Sequence, residues 1–186
     1  MTYTPHVVGL GGSLSDKSSS LRAVRVALAG AEQAGATVDL LDVRDLALSF
    51  YGGEVPANPG VTRLVEATAG ADALIWSSPL YHGTVSGAFK NALDWLQMLA
   101  DRDQPFLSAK PVGLIATAAG VQGLQAINTM EFVVRALRGW TVPFVVPLAR
   151  SWEVFGADGV PRDPAVGAQL HMLGREVATA ARRFAA

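Results

Sequence analysis

Five short apolar runs recur along the chain, and apolar residues return at helical spacing between them. The runs cover residues 7–10, 38–43, 73–76, 111–116 and 141–146, and each reads as a strand. After the first run, Leu21, Val24, Ala27 and Leu28 fall on one helical face, with Gly35 as the stop. Further helices are predicted over 61–69, from near Val85, over 124–138 and from about 164 to 184. Pro79 and Gly83 are expected to break the third strand before its helix begins. Three segments fit neither period. Residues 46–59 hold Tyr51-Gly52-Gly53 and two prolines, 101–110 are charged, and 150–162 read as an arm or hairpin turning at Asp158-Gly159.

Strands alternating with helices imply a doubly wound α/β sheet, parallel because right-handed crossovers return each strand in the same direction, with helices on both faces. Five strands in 186 residues fit the flavodoxin-like order 2-1-3-4-5. That order sends the loops after strands 1, 3 and 4 to one edge, where sheets of this kind bind ligands.

Half the residues are hydrophobic and 17% are charged, so apolar surface is expected at subunit contacts. A net charge of −1 lacks the basic face that nucleic acid requires. With no cysteine there is no disulfide, thiolate metal site or cysteine nucleophile. His6, His82 and His171 have no metal-ligand spacing. No apolar run is long enough to span a bilayer, and the first residues carry no signal-peptide pattern. The expectation is one cytoplasmic domain over residues 1–186, without membrane or nucleic-acid partners.

The first loop, 11–20, is rich in glycine and hydroxyls and opens a helix. Backbone amides at a helix start, with the helix dipole, can hold a phosphate monoester. Ser13, Ser15, Ser18, Ser19 and Ser20 are its candidates, although one of them must also cap the helix. Other glycine motifs fail here. Leu14 stands where a dinucleotide fingerprint has its third glycine, Ser15 ends the run where a nucleophile elbow needs glycine, and no Gly-Lys-Ser/Thr closes a P-loop.

The stretch 77–96, SSPLYHGTVSGAFKNALDWL, is the most specific signal in the chain. Pro79/Tyr81, then Ser86-Gly87, then Lys90-Asn91-Ala92-Leu93-Asp94-Trp95 resembles the flavin-holding loop and helix of the NAD(P)H-dependent FMN reductase family. Gly12, Ser13 and Ser18 resemble that family's phosphate loop. Ser15 and Ser20 depart from it, standing where many members carry arginine and asparagine; Lys17 is the one cation available to compensate. The small-residue loop 117–123 resembles the family's third flavin loop. The resemblance covers roughly residues 6–146. It implies bound FMN, with Pro79, Leu80, Tyr81, His82 and Gly83 at the ring and Thr117, Ala118, Ala119, Gly120 and Gly123 at its pyrimidine edge. NADPH or NADH would deliver hydride to the flavin, which passes it to free flavin, a quinone or another small acceptor, with no catalytic side chain required. The loops 46–59 and 101–110 would line the open side.

Taken singly, these residues allow plainer roles. Tyr81 could be a packing aromatic, His82 a solvated imidazole, and Lys90 with Asp94 a helix ion pair. The helix after the flavin loop carries two apolar stripes, Val85/Phe89/Leu93/Leu96 and Ala88/Ala92/Trp95/Leu99. The helix after strand four has Ile127/Met130/Val134/Leu137 beside Ala126, Phe132 and Val133. One stripe can cover the sheet and the other needs a partner, so a homodimer or dimer of dimers is expected, and family members pair through these helices. The alternative functions are an electron carrier of the same fold and a flavin-binding sensor without turnover.

Overall fold

The computed structural model describes residues 3–53 and 58–185. Five strands, β1 (His6–Gly11), β2 (Thr37–Asp42), β3 (Ala73–Tyr81), β5 (Pro111–Thr117) and β6 (Trp140–Leu148), pair in parallel in the order β2-β1-β3-β5-β6. This is the expected 2-1-3-4-5 arrangement. A sixth, two-residue strand, β4 (Thr84–Val85), folds back antiparallel on β3.

That short hairpin revises the reading of Pro79. Proline does not end β3; it pairs with Thr117 two residues before the strand finishes, where a missing ladder donor is tolerated. The reversal comes instead at His82 and Gly83, with φ of 49° and 87°, the two positive values a type I′ turn requires. The following helix, α4 (Gly87–Trp95), therefore starts two residues later than expected, capped by Ser86, whose Oγ accepts from Phe89 N at 3.1 Å.

Side chains alternate between the two faces of the sheet. Val7, Ile75 and Ile115 meet α1 (Ser19–Gln33) and α7 (Pro164–Phe184), whereas Val8, Trp76 and Leu114 meet α3 (Pro59–Gly70), α4 and α5 (Gly123–Ala136). The helices α1 and α7 cross with almost no side chain between them. A β-carbon at Gly174 would lie 1.8 Å from Ala27 O, and one at Gly30 would lie 2.3 Å from His171 O. Small residues there let two helices share one narrow layer.

Both apolar stripes of α4 find partners inside the chain. Phe89, Ala92, Leu93, Trp95, Leu96 and Leu99 are all buried. The second stripe is covered by α3 and by the segment after α2 (Val43–Leu46): Tyr51 stacks edge-on against Trp95 at 5.1 Å. Asn91 and Trp95 anchor that segment through Ser49 O, at 2.9 and 2.8 Å, and Asn91 Oδ1 accepts from Tyr51 N at 2.9 Å. Much of the Lys-Asn-x-x-Asp-Trp signature is thus a loop tether, and Lys90 with Asp94 forms an exposed ion pair at 2.5 Å. Of the 46–59 excursion, residues 54–57 lie outside the described part.

Strand β6 forms one edge of the sheet and carries Pro143 and Pro147, with a register break between Val112 and Leu114 of its neighbour. No described helix is long and apolar enough to cross a membrane.

Candidate functional site

Loops leave the carboxyl ends of β1, β3, β5 and β6 on one edge of the sheet, and a cavity of about 270 Å³ opens among them. Ser13, Ser15, Ser18, Ser19, Ser20, Pro79, Leu80, Tyr81, Thr117, Ala118 and Ala119 all line it, so eleven of the fifteen expected residues come together. His82, Gly83, Gly120 and Gly123 do not. The first two are the hairpin turn, and Gly123 is the opening residue of α5, against Pro147. The 101–110 loop lies elsewhere because it enters β5 from its amino end, where Gln104, Ser108 and Lys110 border a different cavity beside Tyr3.

The serines divide their work. Ser18 Oγ accepts from Leu21 N at 3.0 Å as the cap of α1, Ser13 Oγ accepts from Ser15 N at 3.2 Å, and Ser15 Oγ accepts from Lys17 N at 3.3 Å. These bonds shape the turn. The first amides of α1, at Ser19 and Ser20, have no carbonyl one turn earlier to bond and remain for a ligand. Ser20 and Thr117 share a 2.7 Å hydroxyl bond across the first and third loops. One proton closes that bond, which leaves the second for an acceptor in the cavity.

Ser86 fastens the first loop to the second. Its Oγ donates to Gly12 O at 2.5 Å, its amide donates to Ser78 Oγ at 3.0 Å, and Gly12 N donates to Ser77 O at 2.8 Å. Gly12 packs close against the Phe89 side chain, and a β-carbon there would come within 2.6 Å of Phe89 Cδ2. The cradle is thus held by α4 from behind. In the third loop, Ala118 N donates to Leu148 O at 2.8 Å, so this amide is committed to the fold.

Charge at the cradle is sparse. Asp16 is drawn aside by Arg44, whose Nη1 lies 2.8 Å from its Oδ1 while Nη2 holds Asp42 at 3.1 Å. The hydrogen bond to Asp16, then the charge of Asp42, raise the Arg44 guanidinium further above its ordinary value. Lys17 is the cation on the cavity wall. A helix start with open amides, a hydroxyl cluster, one lysine and a backbone held close against Phe89 at Gly12 fit a phosphate monoester. Pro79, Leu80 and the half-exposed Tyr81 offer the apolar and aromatic surface that a flavin ring requires. The residues fit FMN.

Sequence reasoning did not select Ser151 and Trp152, which also line the cavity. They follow β6, whose carboxyl end reaches the same edge, and that topological rule applied to the fifth parallel strand would have found them.

The fold and this strand-end cavity define a flavodoxin-like α/β protein with an FMN-type site. Residues 5–153 match the NADPH-dependent FMN reductase family, and the chain belongs to that family. Among curated relatives, it is 28% identical over 158 residues to the NADPH-dependent FMN reductase ArsH of Rhizobium meliloti, covering 85% of this chain and 64% of that one. It is 40% identical over 80 residues to an FMN-dependent NADPH-azoreductase of Staphylococcus aureus, covering 43% of this chain and 39% of the other. The matches therefore span less than two thirds of either relative. Solved structures of the same fold include the NADH:FMN oxidoreductase EMOB, with a TM-score of 0.76 at 22% identity over 95% of this chain and 89% of that one. The flavoenzyme FerB of Paracoccus denitrificans has a TM-score of 0.75 at 22% identity, over 97% and 98%.

Proposed function

We propose that this chain works as a single domain, an FMN-dependent oxidoreductase that takes hydride from NADPH or NADH and passes reducing equivalents to a small acceptor such as free flavin or a quinone. The observation that carries the reading is the cavity where the serine cradle, Pro79–Tyr81 and Thr117–Ala119 converge in a member of this family. Bound FMN supplies the two-electron redox chemistry. The chain supplies placement. Ser19 and Ser20 amides with Lys17 would hold the phosphate, the Ser20–Thr117 pair would donate one hydrogen bond to it, and Tyr81 would leave an aromatic face open to incoming nicotinamide. Among the residues on the cavity wall, Lys17 and Tyr81 are the titratable ones, in keeping with a reaction that asks for no side-chain acid or base. A cytoplasmic location, where reduced nicotinamide is plentiful, belongs to the same reading.

The test is anaerobic mixing of FMN-loaded protein with NADPH and with NADH in separate runs. Loss of the oxidised-flavin absorbance is expected, and the ratio of the two rates identifies the donor. Protein stripped of FMN should consume neither. Tight FMN binding with no bleaching by either nicotinamide would instead identify an electron carrier or sensor.

We propose in addition that α5 makes a subunit contact in a homodimer or a dimer of dimers. The second stripe of α4 is buried within the chain, but Phe132 of α5 is 69% exposed, and Leu124 at the start of α5 and Val121 just before it are exposed as well. Light scattering of Phe132→Asp should show a smaller particle than the parent chain. Identical masses would sink this contact.

A further inference from the structure

The segment 150–162 carries none of the motifs read from the sequence, and residues beyond 153 lie outside the family match, yet it is built into the site from both sides. Arg150 leaves β6 in the left-handed region, at φ 44°, an uncommon conformation for a side chain of its size. It redirects the chain from the sheet edge into the short helix α6 (Ser151–Val154). Ser151 N then donates to Ala118 O at 3.1 Å, fixing the arm to the third loop. Ser19 Oγ donates to Ser151 O at 2.8 Å, fixing it to the cradle helix. One turn along α1, Arg22 Nη1 donates to Gly156 O at 3.2 Å, so the far part of the arm is held as well. A bridge between Phe155 and Pro161 closes the arm on itself, with Phe155 buried as its plug.

All this anchoring presents one side chain with no packing role. Trp152 is 62% exposed, and it lines the same cavity as the cradle serines. Its indole N–H is occupied by the neighbouring Glu153 Oε1 at 3.2 Å, which leaves the ring face without a polar task. An indole held out over a phosphate-type cradle, on a backbone tied to two of the three ligand loops, is suited to cover what the cradle binds.

We propose that the 150–162 arm is the fourth wall of the flavin site, and that Trp152 closes over the cradle end of bound FMN and sets how slowly the cofactor leaves. The inference rests on the FMN reading above and deepens it. The arm decides whether FMN behaves as a resident group or as a diffusible substrate. Because Ser19 serves both as a cradle residue and as an arm anchor, occupancy of the cradle and closure of the arm are coupled. Lys17 supplies charge on the same cavity wall. Trp152 supplies area and water exclusion, and these slow departure more than they speed arrival.

The experiment measures FMN dissociation directly, with no nicotinamide present. Flavin-loaded protein is diluted and the return of free-flavin fluorescence is timed for the parent chain, Trp152→Ala and Trp152→Phe. The alanine variant is expected to release FMN about tenfold faster, the size of one lost aromatic contact, with little change in association rate. The phenylalanine variant should stay within about threefold of the parent, since a ring still covers the cradle. Far-UV circular dichroism of all three should coincide, because Trp152 carries no core packing. Equal dissociation rates for the parent and the alanine variant overturn the arm's role while leaving the FMN reading intact. Equal losses in both variants overturn it too, since a covering ring would have been rescued. A parent chain that does not bind FMN overturns the reading beneath it and this inference together.

Discussion

Gly174→Val should lower the unfolding free energy by about 3 kcal/mol, at the upper end of what overpacking costs. The added β-carbon would meet Ala27 O at 1.8 Å and Ala31 N at 2.7 Å. Both are backbone atoms of α1, so no rotamer change relieves the clash and the helices must separate. Separation strips cover from Val24, Leu28, Leu173 and Val177, which bury one face of the sheet. For a chain of this size the loss corresponds to a melting temperature lower by about 10 °C. Thermal unfolding of the variant checks it. An unchanged midpoint would mean that α1 and α7 are not packed this closely. The site would feel the change as well, since α1 begins at the cradle.

The second large effect is functional. Gly12→Val is expected to weaken FMN binding by about a hundredfold, the equivalent of one or two hydrogen bonds to a charged group. Its β-carbon would press on Phe89 Cδ2 at 2.6 Å and on Phe89 Cβ at 2.7 Å. Phe89 is fully buried and packed edge-on against Trp76, so it cannot retreat. The loop must lift instead, breaking the Ser86-to-Gly12 and Gly12-to-Ser77 bonds and carrying the α1 amides away from their shared focus. Fluorescence titration with FMN reads the affinity. Near-parental binding by a folded Gly12→Val protein would place the phosphate somewhere other than this loop.

The sheet order was legible because short continuous apolar runs alternate cleanly with period-3.6 patterns in this chain, and Pro164, placed after Asp163, opens α7. The hairpin after β3 was not. Gly83 does lie in the turn that ends the strand, but the other half of that turn is a histidine at positive φ, which no hydrophobic pattern reveals. The apolar stripes of α4 were visible, but periodicity reports that a face is buried and not what buries it. Tyr51 and the Ser49 carbonyl, about 40 positions away in sequence, supply that cover. The cradle serines could be named from the loop's composition. Their division into turn-forming hydroxyls, a cap and a cross-loop pair with Thr117 depends on distances that only the folded chain provides. Trp152 went unselected because the arm lacks periodicity and carries no motif.

Pro143 and Pro147 on the outermost strand bear on how copies of this molecule can meet. Proline has no amide hydrogen to offer a neighbouring chain, and the break in register beside Pro143 bends the rim further from a straight template. Two molecules brought together along β6 therefore cannot knit their sheets into one continuous ribbon. The same defect guards a chain this rich in apolar residues against stacking strand upon strand at high concentration. Replacing those two residues would remove a safeguard against fibre growth.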